Sequence, residues 1–255
     1  MIRKLSEGVL VVWEDGAATS TIITGKGCSI VVDTSLFPEK AEKIEKFAKE
    51  IGGPVRYVVN THYHPDHTFG NCAFKDAEII SSSKTKESMD KMDMDYIRRV
   101  WGDLADEYHI SIPNITFEDE KVFQLCGVKI FLKRLGGHTP DSTIVFLERE
   151  GILIAGDLIF NGYHAEITHD SDLDTWISAL STMRKMSPMF VVPGHGEPGG
   201  IEVISQMKEY MMKVSMIIEG KIGYEDLVAD ENFKRRDFPE LFSYSLENLL
   251  KIGIG

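Results

Sequence analysis

Along the first sixty residues the apolar positions fall into short runs of strand length. GVLVVWE (8–14), STIIT (20–24) and CSIVVDT (28–34) are rich in β-branched residues and separated by Gly-containing turns, which predicts three strands. The period then changes. Ile44, Phe47, Ala48 and Ile51 recur at three- and four-residue steps, with Pro38 near the start and Gly52-Gly53 as the stop, which predicts a helix. VRYVVNT (55–61) and AEIISS (77–82) return to strand. Residues 84–109 are polar with a helical period carried by Met89, Met92, Tyr96, Val100, Trp101 and Leu104.

A second block begins near Ile115. KVFQL, VKIFLKRL, STIVFLE and GILIAGD predict strands, 172–186 a helix, MFVVPG a strand, and 201–220 a long helix. No Pro- or Ser-rich linker interrupts the chain. The expectation is one domain over 1–255: two sheets packed face to face, helices outside, and a helical C-terminal extension at about 201–255.

Charge changes the picture mainly by exclusion. Lys and Arg number 28 against 40 Asp and Glu, a formal charge of -12, which argues against a nucleic-acid partner. No stretch approaches the roughly 20 apolar residues of a membrane span. The N-terminal MIRKLSEGVLVVWEDGA lacks the pattern of a secretory signal. Cys28, Cys72 and Cys126 are odd in number and irregularly spaced, which suits reduced thiols. A cytoplasmic protein acting on a small molecule is the expectation. The Met-rich stretch 207–218 has enough apolar surface to pair with a twin as a homodimer.

The chemistry concentrates in THYHPDH (61–67), which holds three of the eight histidines. His62 and His64, two apart on an extended segment, project to the same side and can reach one ion. Asp66 and His67 follow Pro65, which turns the chain and aims them from another direction, so a second ion can sit beside the first. His138 in LGGHTPDS, Asp157 in LIAGDLIF and His195 in VVPGHGEP each stand where an apolar strand breaks into Gly or Pro, a usual place for site residues.

In these four segments, in this order, the chain resembles the metallo-β-lactamase superfamily over about residues 8–200. The resemblance implies a four-layer αββα sandwich with its site at one edge of the sheets. It also implies that His62, His64 and His138 hold one metal, that Asp66, His67 and His195 hold a second, and that Asp157 bridges them. Two divalent ions, zinc by their N and O ligands with iron or manganese as alternatives, would acidify a shared water for attack on an acyl bond. Asp66 is then both a ligand and the catalytic proton shuttle. The expected activity is a hydrolase opening a lactone, a thioester or a β-lactam-like amide. A di-iron oxidoreductase or a phosphodiesterase of the same superfamily is the alternative. In flavodiiron relatives a glutamate usually replaces the second histidine, here His64, which favours hydrolysis.

Further residues are candidates by position. Asp33, ending CSIVVDT, resembles the superfamily's aspartate that holds a ligand imidazole from behind, although a turn residue would look the same. Asn71 in FGNCAF is a pocket candidate or a simple turn. The acyl-homoserine-lactone lactonases carry a tyrosine three residues after the bridging aspartate. Phe160 stands there, and Tyr163 could supply the hydroxyl. His164 and His169 lie close enough to Asp157 to approach the pocket but are more simply solvated, as is His109. Lys234, Arg235 and Arg236 offer either a basic binding patch or a solvated helix face. Residues 85–110 form either a mobile lid or a layer packed on the sheet.

Overall fold

A computed structural model describes residues 1–252. Its first sheet has seven strands in sequential order: β1 (Ile2–Ser6), β2 (Val9–Val12), β3 (Ser20–Thr24), β4 (Ser29–Val32), β5 (Val55–Val59), β6 (Glu78–Ser82) and β7 (Ile115–Phe117). Pairing is antiparallel through β4 and parallel from β4 to β7. The second sheet has the order β12-β11-β10-β9-β8. These strands are β8 (Glu120–Leu125), β9 (Val128–Arg134), β10 (Thr143–Leu147), β11 (Ile152–Ile154) and β12 (Phe190–Val192). Every strand seen in the sequence forms. Two more form at the edges of the first sheet: β1, half-exposed, whose IRKLS shows little apolar alternation, and the three-residue β7.

Strand periodicity sorts the side chains into layers. On β3, Ile23 points inward to meet Val9, Val11, Ile30, Ile130, Leu132 and Val145, so both sheets contribute to one central core. Its neighbour Ile22 points outward, against Ala41, Ile44 and Ala48 of the first helix, α1 (Pro38–Gly52). On the second sheet Ile144 and Leu153 point outward, towards residues 173–185 and 202–218, which form long helices. The result is the four-layer αββα sandwich, each buried aliphatic side chain contributing roughly 1.5–3 kcal/mol.

The chain between β5 and β7 supplies a one-turn helix α2 (Pro65–Thr68), α3 (Ser83–Asp90), α4 (Met94–Trp101) and α5 (Leu104–Glu107). α4 is two-faced. Ile97 and Trp101 pack with Phe69 and Ala105, and Trp101 Nε1 donates to the Leu36 carbonyl at 2.8 Å, while Tyr96 and Val100 face a cavity. Residues 85–110 are therefore both a packed layer and one wall of the site.

α6 (Leu173–Lys185) and α7 (Glu202–Ile218) cover the second sheet, and α8 (Tyr224–Val228), α9 (Glu231–Lys234) and α10 (Pro239–Ile252) follow. Met207 and Met211 of α7 are fully buried within this layer and Met212 is exposed, so the apolar face behind the homodimer expectation is used inside the chain. Among the described residues no helix is long and apolar enough to cross a membrane.

The cysteine expectation is corrected. Cys28, just before β4, and Cys126, in the β8–β9 turn, form a disulfide with Cα atoms 5.5 Å apart, leaving Cys72 free. Their separation of 98 residues hid the pairing, because they meet only after the two sheets stack. The bridge joins the sheets at the starts of β4 and β9, away from the strand ends that carry the histidines. It also removes the cysteine argument for a reducing compartment.

Candidate metal centre

Strands β4, β5, β9, β11 and β12 all end at the same edge of the sandwich, and each delivers a site residue there. β5 runs through Asn60 and Thr61 into His62 and His64. His64 stays extended at ψ 146°, and Pro65 then opens α2, so Asp66 and His67 leave from a helical turn. The β9–β10 connection carries His138, the 3₁₀ turn after β11 carries Asp157, and the loop after β12 carries His195. Gly194 lets the last two loops touch: a Cβ there would stand 1.8 Å from Asp157 Oδ1.

All seven predicted ligands come together. The donor atoms of His62, His64, His138 and Asp157 lie within 4.8 Å of one another, and so do those of Asp66, His67 and His195. Asp157 reaches both groups. Its Oδ2 is 3.9 Å from His62 Nε2, 3.5 Å from His138 Nε2 and 3.5 Å from His195 Nε2, and its Oδ1 is 3.1 Å from His67 Nε2. Asp66 Oδ2 is 3.2 Å from His195 Nε2 and 3.6 Å from His67 Nε2. Donors at ~2.0–2.1 Å from a tetrahedral ion stand ~3.3 Å apart, so these spacings fit a metal at each group. His62 Nε2, His67 Nε2 and Asp157 Oδ1 are buried without a hydrogen-bond partner, a costly arrangement unless an ion uses their lone pairs.

The surroundings set the tautomers. His138 Nδ1 is 3.0 Å from the Glu166 carbonyl, which can only accept, so Nδ1 carries the proton and Nε2 keeps its lone pair. His67 Nδ1 donates to Asp33 Oδ2 at 2.8 Å, and Asp33 also accepts from Thr61 N (2.8 Å) and Thr61 Oγ1 (2.7 Å). Asp33 thus sits behind His67, and through Thr61 behind His62, whose Nδ1 is 3.1 Å from Thr61 Oγ1.

Protonation preferences divide the two groups. Burial pushes His138 down to about 3 and lowers His62 and His64, so this trio is neutral and ready to donate. Burial lowers His195 as well, but the carboxylates of Asp157 and Asp66 outweigh it and hold His195 up at about 10. His67 is raised the same way. An ion entering the second group therefore displaces protons.

The profile of the Metallo-beta-lactamase superfamily matches residues 13–195, most of the chain and every residue of both groups. The chain belongs to the metallo-β-lactamase superfamily. Among curated relatives, a Metallo-beta-lactamase type 2 from Bacteroides fragilis is 24% identical over 203 residues, covering 77% of this chain and 76% of the relative. A linear primary-alkylsulfatase from Pseudomonas sp. is also 24% identical, but this chain spans only 39% of its length. An atrochrysone carboxyl ACP thioesterase from Cryptosporiopsis sp. is 25% identical, and the chain spans about half of it, 49%. The solved structure of a metallo-β-lactamase from Pontibacter korlensis superposes with a TM-score of 0.67 over 83% of this chain and 98% of that one, at 22% identity, a likeness of fold.

This member of the superfamily does not bring every candidate to the centre. Asn71 is buried away from the cavity. Its amide exchanges hydrogen bonds with Asn60, accepts from Thr34 and donates to the Ser111 carbonyl, and Asn60 in turn holds the His67 carbonyl. The Tyr163 hydroxyl accepts from Gly16 N at 3.3 Å and lies outside the cavity lining. His164 is neither solvated nor in the site: it packs among Tyr210, Phe233 and Phe242, with Nδ1 3.2 Å from the Tyr210 hydroxyl. His109 is exposed, and the exposed His169 lines the cavity rim. The solvated-face reading of the basic triplet fails at Arg236, which is 8% exposed, stacks over Tyr210 and donates to the carbonyls of Phe160 (3.0 Å) and Tyr163 (2.7 Å).

Three contributors escaped the sequence reading. Phe160 is no vacancy for a missing hydroxyl: its ring stacks on His195 at 5.2 Å with planes 2° apart. Thr61 links Asp33 to His62, and its place directly before His62 at a strand end was the available signal. Glu166 lines the cavity, and nothing in its sequence surroundings marks it.

Proposed function

We propose that this chain is a binuclear hydrolase, with two zinc ions, that cleaves an acyl bond in a small molecule: a lactone, a thioester or a β-lactam-like amide. The observation that carries this reading is the pair of donor groups joined by Asp157 and opening on a cavity of about 680 Å³ lined by His64 and Asp66. Two ions bound here would supply an acidified water and a positive field for the oxygen that gains charge. The ligand chemistry, nitrogen and oxygen without thiolate, suits zinc.

The protein's own groups do the rest. Asp33 and the Glu166 carbonyl fix the imidazoles of His67 and His138 so that Nε2 of each points inward. The Asp66 carboxylate, with its side chain 32% exposed, borders the cavity and can take the proton of the attacking water and return it to the leaving group. Phe160 and Trp176 pack on the rings of His195 and His138 and keep water from their far sides. Kinship with thioesterases and β-lactamases supports acyl substrates in general and does not choose among them.

The test is the metal content of protein purified without chelators, followed by a screen of lactones, thioesters, β-lactams and phosphodiesters. About two zinc ions per chain with turnover of an acyl substrate is the expected result. Iron as the dominant metal, or turnover of phosphodiesters alone, would overturn it.

A further inference from the structure

Among the described residues, three charged side chains beyond the candidate ligands line the cavity: Glu14, Lys40 and Glu166. Glu14 and Lys40 cancel, because Lys40 Nζ donates to Glu14 Oε2 at 3.2 Å. Glu166 is different. Its backbone carbonyl is tied to His138, yet its half-buried carboxyl has no hydrogen-bond or ion-pair partner among the described residues. Among the described residues the cavity thus offers a substrate one unpaired carboxyl group and no unpaired lysine or arginine. Burial and the carboxylates of Asp157 and Asp66 push that carboxyl up to about 7, and a cationic partner would draw it back to its charged form. The same space is walled by Tyr63, Tyr96 and Tyr244, whose ring faces attract organic cations.

We propose that Glu166 is a specificity-determining residue, selecting acyl substrates that carry an ammonium group beyond the scissile bond. This rests on the hydrolase reading above and adds the substrate class. A substrate ammonium would pair with Glu166 while its acyl group lies at the Asp66 side of the cavity. Pairing in a partly desolvated cleft is stronger than in bulk water. A substrate carboxylate placed there would meet Glu166 with no lysine or arginine among the described lining residues free to offset it. The chain therefore disfavours the anionic substrates that a positively charged metal centre would otherwise attract.

Two measurements on the metal-loaded full chain test this. The first compares kcat/KM for thioesters of equal length ending in an amine, a methyl or a carboxylate. The second uses no turnover: 3-aminopropanethiol and 3-mercaptopropionate are titrated into the cobalt-loaded protein, and the thiolate-to-metal absorption band reads binding. The wild type should favour the amine over the carboxylate at least tenfold in both. Glu166→Gln should flatten the ratio, Glu166→Lys should invert it, and Glu166→Asp should keep its direction; two metals per chain in each variant shows an intact centre. A wild-type preference for the carboxylate, or a ratio unchanged in Glu166→Gln, overturns the assignment. An amine preference in binding that Glu166→Gln removes, with no lactone, thioester or β-lactam hydrolysed, upholds Glu166 and overturns the hydrolase reading instead.

Discussion

Replacing Asp33 by Asn should weaken metal binding at one donor group and spare the other. The carboxylate is 2% exposed and only accepts: from His67 Nδ1, Thr61 N and Thr61 Oγ1. Asn keeps the shape but turns one oxygen into an NH₂ donor. If that NH₂ faces His67, two donors oppose each other, and the imidazole must move its proton to Nε2, the atom aimed at the second ion. The backbone does not confound the result, because Asp33 sits at φ +57°, a conformation Asn tolerates well. Asp33→Ala would add strain there and is the poorer variant.

The magnitude follows from what such supporting groups contribute. Loss of the partner behind a ligating histidine typically lowers metal affinity about 10–100-fold, about 1.4–2.7 kcal/mol. In Asp33→Asn that loss should fall on the group of Asp66, His67 and His195. The group of His62, His64 and His138 is touched only through Thr61. Competitive titration of added zinc against a chromophoric chelator reads the affinity of each donor group separately. Equal weakening of both ions, or two wild-type affinities, would refute the division of labour.

Three more outcomes are expected. Arg236→Met leaves the buried carbonyls of Phe160 and Tyr163 unpaired and should destabilise the metal-loaded protein by about 3 kcal/mol, read by thermal or urea unfolding; an unchanged midpoint would remove its role as a clamp. Cys28→Ser with Cys126→Ser opens a loop of 98 residues and should cost roughly 4–5 kcal/mol by chain entropy, while metal content stays that of the wild type. Loss of metal in that variant would contradict the bridge's remote placement. Zinc binding at neutral pH should release protons, because His195 is held at about 10 and must shed its proton to ligate, so affinity rises with pH up to that value. The sign for the metal-free protein is opposite. Stabilisation from the raised His195 is full below ~6.5 and lost as pH rises through about 10. Calorimetry in buffers of different ionisation enthalpy counts the protons, and a count of zero would refute the assignment.

The parts of the centre legible in the sequence are those whose information is local. Pro65 lies between His64 and Asp66, so the change of backbone direction that separates the two donor groups can be read within seven residues. His138, Asp157 and His195 were legible because apolar strands end beside them in Gly or Pro. Tyr163, His164 and Asn71 illustrate the limit. Each is near a ligand in sequence, but the turns after Asp157 and His67 point their side chains into other contacts: Gly16, the Tyr210 cluster, and Asn60. Proximity along a loop carries no direction, whereas alternation along a strand does.

The residues that remained illegible share a different property: their partners lie far along the chain. Cys28 meets Cys126 across the stacked sheets, and Phe160 reaches His195 across 35 positions of sequence. Arg236 holds Phe160 from beyond the stretch that the superfamily profile covers, since the match ends at residue 195. Tyr244 lines the cavity from the same region. The donor atoms thus come entirely from the shared part of the fold, while part of the cavity wall comes from α10 and the support behind Phe160 from the α9–α10 connection. The shared residues set how a bond would be broken. On the proposed reading the C-terminal segment, with the walls at Tyr96 and Glu166, would set which molecule reaches it, so substrate differences among relatives should track these segments rather than the histidines.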